Sequence, residues 1–152
     1  MVDMHMHTLY SDGDKTVEEV LKICEERKLE YISITDHNTC KQYEDEALNK
    51  NIFTGKIING VEMNATFRNK KIEEDIIGFI DELMEDKKLD GVECFHPSAD
   101  EDRMKTLVEY AKKYNLYISG GSDFHGSKKP YVEIGVGKGN LHISRDYIEE
   151  WA

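Results

Sequence analysis

The chain has 152 residues, of which 39% are hydrophobic and 34% are charged, and its formal net charge is −11 at pH 7, values typical of one globular domain. The acidic balance argues against a long nucleic acid as a partner, because affinity for a polyphosphate backbone comes mainly from lysine and arginine, whereas a small phosphorylated substrate is compatible with it. No apolar run approaches the roughly 20 residues that span a bilayer, and the first residues lack the layout of a signal peptide, so we expect a cytoplasmic protein without a membrane partner.

An alternation of apolar and polar residues predicts a β-strand from Val2 to Met6. Residues two apart on a strand point to the same face, so His5 and His7 would direct both imidazole rings to one point. Two neutral imidazoles on one rigid strand form half of a site for a first-row metal ion. The pair by itself is equally typical of polar residues on a solvated strand face.

A helix and a second strand follow this segment. Thr16 and Glu19 have the spacing of a capping box, and an apolar stripe at helical spacing continues from them, which predicts a helix packed on a sheet. The β-branched residues 31–35 predict a strand that delivers Asp36 and His37 at its carboxyl end. Asp36 would either orient a metal ligand through its carboxylate or cap the loop after the strand.

Shorter elements are predicted for the middle of the chain. We expect a weak surface helix over 41–48 and a strand over 56–63, which carries Glu62 near its carboxyl end. Residues 67–80 combine a basic turn with an apolar run, which predicts a hairpin, and residues 81–88 predict a short helix.

A strand over 91–95 is predicted to end at His96, where Pro97 enforces a stop. His96 would contact a phosphate or act as a general acid; the alternative is a strand-end histidine held by Pro97 and a backbone carbonyl. The sequence 98–101 has the spacing of a second capping box and predicts the start of a helix.

The last third of the chain predicts three more elements. A strand over 116–119 leads into the loop 120–126, which contains an aspartate and a histidine. A last strand is expected over 131–136 and a closing helix over 144–151. The repeated order of strand and helix indicates an α/β fold with a largely parallel sheet, in which ligands bind at the carboxyl ends of the strands.

Five of the six histidines lie at such strand ends, together with several acids. Four motifs contain four of these histidines, all except His96, and follow in this order: His5-Met-His7 with Ser11-Asp12-Gly13, Thr35-Asp36-His37, Gly60-Val61-Glu62, and Gly121-Ser122-Asp123-Phe124-His125-Gly126. Together these motifs resemble the PHP family, named for polymerase and histidinol phosphatase. The resemblance implies a distorted (β/α) barrel of PHP type, here a single domain over 1–152 that is shortened relative to the seven-stranded family barrel. It also implies two or three divalent ions, commonly manganese, zinc or iron, that hydrolyse phosphate esters.

Carried over position by position, the resemblance implies two sets of metal ligands. The first set surrounds one ion and consists of His5, His7, Glu62 and Asp123. The second set surrounds another ion and consists of Asp12, His37 and His125. The resemblance further implies a catalytic role for His37, His96 and His125, in which metal-activated hydroxide attacks phosphorus.

The sequence departs from the family pattern where a third ion would bind. A histidine expected near a strand resembling 76–79 is missing, with Asp75 close to its place, and a later Ala-His-Pro motif is absent. We therefore expect two secure metal positions and a lost or weakened third, for which Asp75 or His96 would be the substitute ligands.

Four basic residues lie where they could meet a substrate phosphate. Arg68 and Lys70 belong to the basic turn, and Lys128 and Lys129 follow the last motif. Their alternative interpretation is a solvated charged surface, which is the commoner role of such runs.

The sequence therefore predicts a metal-dependent phosphoesterase that hydrolyses a small phosphorylated metabolite or nucleotide. One alternative is a degenerate module that binds metal for structure or ligand sensing without turnover. Another is a nuclease acting on short oligonucleotides, against which the acidic balance of the chain weighs. Neither the oligomeric state nor the identity of the substrate follows from the residues.

Overall fold

The computed structural model describes residues 1–63 and 90–152. The hairpin predicted over 67–80 and the helix predicted over 81–88 lie outside these ranges. Three candidate site residues lie outside them as well, namely Arg68, Lys70 and Asp75. Within the described ranges the fold is mixed α/β, as predicted from the order of strands and helices.

Two parallel sheets contain the described strands, which are β1 (Val2–Asp3), β2 (Tyr31–Ile32), β3 (Lys56–Ile57), β4 (Gly91–Phe95) and β5 (Tyr117–Gly120). One sheet has the order β1-β2-β3 and the other pairs β4 with β5. The first three strands are shorter than predicted, because beyond two residues their pairing continues only as single hydrogen bonds and isolated bridges.

The chain that leaves β1 runs parallel to the chain that leaves β5, and this contact joins the two sheets. Three backbone hydrogen bonds make the junction, from Met4 N to Gly120 O (3.1 Å), Asp123 N to His5 O (2.8 Å) and His7 N to Phe124 O (2.9 Å). The described strands therefore follow one another in space in the order β3-β2-β1-β5-β4. The five strands alone do not establish a closed barrel, so the shortened barrel stays a prediction.

Helix α1 (Val17–Glu26) begins as the sequence predicts. The Thr16 hydroxyl accepts a hydrogen bond from the backbone N–H of Glu19, and the Glu19 carboxylate accepts one from the Thr16 N–H, which completes the capping box. The predicted apolar stripe is buried against the first sheet and consists of Val17, Val20, Leu21 and Cys24.

Helix α2 (Glu101–Tyr114) begins differently from the prediction. Its N-cap is Asp100, whose carboxylate accepts the Arg103 N–H at 2.8 Å, so the capping box predicted from Ser98 was wrong. The Ser98 hydroxyl is instead bonded to the His96 ring at 2.6 Å, and a hydroxyl engaged there does not cap the helix.

Two other predicted elements take irregular forms. The helix predicted over 41–48 is a pair of 3-10 turns, Lys41–Glu44 and Glu46–Asn49, separated by the extended residue Asp45. The strand predicted over 131–136 does not form; its alternating residues bury Val132 and Ile134 in the core beside α1, but the backbone pairs only through one isolated bridge.

The chain closes with helix α3 (Arg145–Glu149), which Ser144 caps. Ile148 of this helix is buried against Val2 and Met4, so the end of the described chain packs on its beginning. Among residues 1–63 and 90–152, no helix has the length and apolar character needed to cross a membrane.

A buried carboxylate holds the junction between the sheets. Asp3 has no exposed surface, and its two oxygens accept the backbone N–H groups of His5 (3.2 Å), Ser122 (2.9 Å) and Gly135 (2.7 Å). These three donors come from three segments that are distant in sequence, so one side chain fixes their relative positions.

Replacing Asp3 with Asn is therefore expected to lower the free energy of unfolding by about 1–3 kcal/mol, because the amide NH2 group would face a buried N–H donor. Urea unfolding measures this change. Asp90→Asn makes the same chemical change at an exposed position and is the control. Equal unfolding free energies for the two variants would show that Asp3 does not hold the junction.

Candidate metal centre

Every predicted metal ligand within the described residues lies at the carboxyl ends of the strands, around one cavity of about 370 Å³. The lining includes His5, Asp12, His37, Glu62, His96, Asp123 and His125. His7 is completely buried beside them. Local pairing explains how distant segments meet here: His37 and Glu62 face each other in a parallel bridge, and Met6 pairs in the same way with Phe124.

One group of donor atoms forms around the paired histidines. His5 Nε2 lies 3.1 Å from His7 Nε2 and 3.0 Å from Glu62 Oε2. Asp123 Oδ1 lies 3.9 Å from His5 Nε2 and 3.6 Å from His7 Nε2. Two ligands of one tetrahedral or octahedral ion stand roughly 3.0–3.4 Å apart, since each metal–ligand bond is about 2.1 Å. Most of these separations are close to that spacing.

A second group forms around Asp12. Its Oδ1 lies 3.4 Å from His7 Nδ1 and 3.2 Å from His125 Nε2, and its Oδ2 lies 3.7 Å from His37 Nε2. The donor atoms of these four residues all lie within 4.8 Å of one another. His7 thus contacts both groups, whereas the resemblance assigned it to the first set alone.

Glu62 also reaches both groups. The same carboxylate oxygen lies 3.0 Å from His5 Nε2, 3.1 Å from His7 Nε2 and 3.5 Å from His37 Nδ1. A carboxylate that contacts donor atoms of both groups could contribute to holding an ion in either of them.

The protonation of the cluster suits a divalent ion. Burial lowers the pKa of His7 to about 3, and the neighbouring His125 and His5 rings add to the effect, so this imidazole is neutral at pH 7. Burial alone would raise the pKa of Asp123, but His96 and Lys129 outweigh it and hold the pKa below its usual range. Neutral imidazoles and ionised carboxylates are the forms that bind metal.

In addition, His37 Nδ1 is a buried nitrogen without a hydrogen-bond partner. The residues present therefore fit divalent ions such as manganese, zinc or iron.

Glu93 is a contact that the sequence analysis missed. His5 Nδ1 donates to Glu93 Oε1 at 2.8 Å, which orients the ring so that its Nε2 faces the cluster. Partners of this kind fix the tautomer and direction of a metal-ligating histidine. The only signal in the sequence was one acidic residue inside the otherwise apolar strand β4.

Asp36 binds the loop that follows β1, rather than the loop after its own strand that the sequence analysis considered. Its carboxylate accepts the Thr8 N–H (2.8 Å), the Thr8 hydroxyl (2.6 Å) and the Ser11 hydroxyl (2.6 Å), and it is completely buried. It therefore organises the loop that leads from His7 to Asp12.

His96 lies at the side of the cavity. Its Nε2 is 3.3 Å from Asp123 Oδ2, and its Nδ1 contacts the Ser98 hydroxyl at 2.6 Å. The same nitrogen also accepts the backbone N–H of Ser98 at 3.2 Å, so Ser98 holds the ring where the alternative interpretation expected a backbone carbonyl. His142, the histidine outside the motifs, is exposed and does not line this cavity.

The amino-acid sequence of the chain matches the PHP domain family over residues 3–131. The chain therefore belongs to the PHP domain family, as its four motifs predicted. No curated protein matches it in sequence.

Three solved structures show the same fold at low sequence identity. A candidate metal-dependent phosphoesterase from Bifidobacterium adolescentis is 14% identical with a TM-score of 0.81, and the match covers 98% of this chain and 94% of that one. An amidohydrolase from Chromobacterium violaceum with bound sulfate and no metal is 14% identical with a TM-score of 0.71, covering 83% of this chain and 88% of that one. A two-domain protein from Bacteroides vulgatus, which contains a predicted PHP-like metal-dependent phosphoesterase, is 14% identical with a TM-score of 0.64; the match covers 82% of this chain and 51% of that one.

Metal binding to this cluster should release protons. Burial would lower the pKa of His5, but Glu93, Glu62 and Asp123 together raise it to about 9, so the ring is protonated at pH 7. Because its folded-state pKa is raised, this ring stabilises the fold below its unfolded pKa of about 6.5, and the contribution is lost as the pH rises through about 9. Over that pH range a cation bound at Nε2 replaces the proton.

Apparent metal affinity is therefore expected to rise between about pH 7 and pH 9, with close to one proton released at neutral pH. Calorimetric titration of manganese in two buffers of different ionisation enthalpy measures the proton count. Glu93→Gln lowers the pKa of His5 and should reduce the release. A release of zero in the unaltered protein would contradict ligation by His5.

Proposed function

We propose that this PHP-domain protein is a metal-dependent phosphoesterase that hydrolyses a small phosphorylated metabolite or nucleotide. The observation that carries the proposal is the convergence of two donor groups on His7 and Glu62 at the strand ends. Such a pair of adjacent sites is the arrangement that hydrolytic enzymes use to clamp a phosphoryl group.

In this proposal His5, His7, Glu62 and Asp123 hold one ion, and Asp12, His37 and His125 hold the other with His7 and Glu62 in contact. Divalent ions at these positions would supply Lewis-acid chemistry, which neutralises phosphate charge and activates water for attack on phosphorus. We propose two ions. Of the two substitute ligands considered for a third ion, His96 lines the cavity and Asp75 lies outside the described residues.

The protein's own residues orient the reacting groups and handle protons. The Glu93 carboxylate holds the His5 ring in place, and Asp36 fixes the loop that presents Asp12. His96 lines the cavity with one nitrogen toward Asp123 and the other on the Ser98 hydroxyl. We assign His96 the role of general acid, giving a proton to the leaving oxygen, because a histidine held in this way keeps one ring nitrogen directed at the cavity.

A cavity of about 370 Å³ fits a small molecule better than a long polymer. The net charge of −11 also disfavours a nucleic-acid backbone. Both features support a small phosphorylated substrate over the oligonucleotides of a nuclease.

The test is phosphate release from a panel of phosphomonoesters, including nucleotides and histidinol phosphate, by chelator-stripped protein with and without added manganese. Release should require the metal.

His37→Ala should reduce the rate of phosphate release about a thousandfold or more, since a lost ligand removes several kcal/mol of transition-state stabilisation. The melting temperature should change little, because His37 lies at a strand end and is partly exposed.

His142→Ala removes an exposed histidine away from the cavity and is the matched control. Full activity of His37→Ala would overturn the assignment of this site. A protein that binds manganese and releases phosphate from no substrate would support the degenerate module, in which the same ions serve structure or sensing.

A further inference from the structure

Two lysines share the cavity with the metal-binding side chains. Lys128 and Lys129 both line it. Lys128 Nζ donates to the backbone carbonyl of Asp12 at 2.8 Å, and Lys129 Nζ donates to the carboxylate of Asp123. Both ammonium groups therefore lie at the edge of the donor cluster, whereas a solvated charged surface would have directed them away from it.

The turn that carries the lysines is firmly anchored. The 3-10 turn Gly126–Lys128 follows the last motif, and both the backbone N–H (2.9 Å) and the hydroxyl of Ser127 donate to Asp14 Oδ2. Gly126 has φ +68°, and a Cβ at this position would lie 1.6 Å from Asp14 Oδ1. Only glycine allows this approach, so Asp14 and Gly126 together hold the turn against the first loop of the site.

Charge gives the two lysines a distinct role. The other described residues that line the cavity are imidazoles and carboxylates. Among the described lining residues, Lys128 and Lys129 are thus the ones with ammonium side chains, in a protein with a net charge of −11. A phosphate monoester carries a charge of about −1.5 to −2 near pH 7, whereas each phosphate of a diester carries about −1. Two ammonium groups that line one cavity match the charge of a monoester better than that of a diester.

We infer that Lys128 and Lys129 are specificity-determining residues that recognise the charge of the substrate's terminal phosphate and favour monoesters over diesters. This inference rests on the proposed function, because it assumes that the cavity receives a phosphate ester. It assigns a task to two residues of this chain that lie outside both ligand sets.

The experiment compares Lys128→Gln and Lys129→Gln with the control Lys138→Gln, which alters an exposed lysine that does not line the cavity. Steady-state kinetics at saturating manganese use p-nitrophenyl phosphate as the monoester and bis(p-nitrophenyl) phosphate as the diester. Each cavity variant should raise the KM for the monoester about tenfold and leave the KM for the diester within about twofold, as expected for one lost charge-assisted hydrogen bond. The control should leave both values unchanged.

Calorimetry adds a measurement that does not depend on turnover. Inorganic phosphate should bind the manganese-loaded cavity variants about tenfold more weakly than the unaltered protein. A manganese titration of each variant separates this effect from altered metal binding, which matters for Lys129 because it contacts Asp123.

Unchanged phosphate affinity in both cavity variants, or equal losses for monoester and diester, would overturn the inference while leaving the proposed hydrolase intact. Absence of metal-dependent hydrolysis in the unaltered protein would count against the proposed function instead. In that case the phosphate titration still decides the role of the lysines, and failure of the manganese-loaded protein to bind phosphate would overturn it.

Discussion

The site depends on one buried carboxylate. Asp3 accepts three backbone N–H groups where the chain leaving β1 meets the chain leaving β5. Burial raises the pKa of this carboxyl, and the hydrogen bonds from Ser122, Gly135 and His5 oppose the shift. The cost of burying a polar group is offset in this way only if the donors stay in place, so the three segments are fixed together.

The two backbone segments at this junction are in close contact, and this contact positions the candidate ligands. A Cβ on Gly121 would lie 2.3 Å from the His5 nitrogen and 2.4 Å from the His5 Cβ, so the two backbones can approach only because residue 121 is glycine. This approach brings the histidine pair beside Asp123, whose own backbone has φ +56°. Aspartate tolerates that left-handed conformation better than most residues. The geometry of the donor cluster is thus a consequence of how closely β1 and β5 pack.

The elements that the sequence predicted correctly are those governed by local chemistry. The Thr16 capping box and the apolar stripe of α1 follow from spacing along one helix. The convergence of the candidate ligands follows from their positions at the ends of parallel strands. The PHP domain could be inferred because the four motifs combine these positions with specific residue types.

The features that escaped prediction depend on contacts between segments far apart in sequence. Asp3 and Glu93 have structural roles that exist only once β5 lies between β1 and β4. Residues around Ile134 alternate as in a strand, but no described strand pairs with them. Their apolar side chains are therefore buried although their backbone forms no ladder of hydrogen bonds with a described strand. The N-cap of α2 is a local exception: the Ser98 hydroxyl binds His96, two residues before it, and the capping-box spacing does not reveal this contact.

We propose that His5 and Asp123 would hold one divalent ion and that Asp12 and His37 would hold a second, with His7 and Glu62 in contact with both donor groups. Diffraction from crystals of the manganese-loaded protein, measured at the manganese absorption edge, tests it most directly. We expect two anomalous peaks about 3.5–4 Å apart, one next to His5 and Asp123 and the other next to Asp12 and His37. A single peak, or peaks remote from these side chains, would contradict the claim.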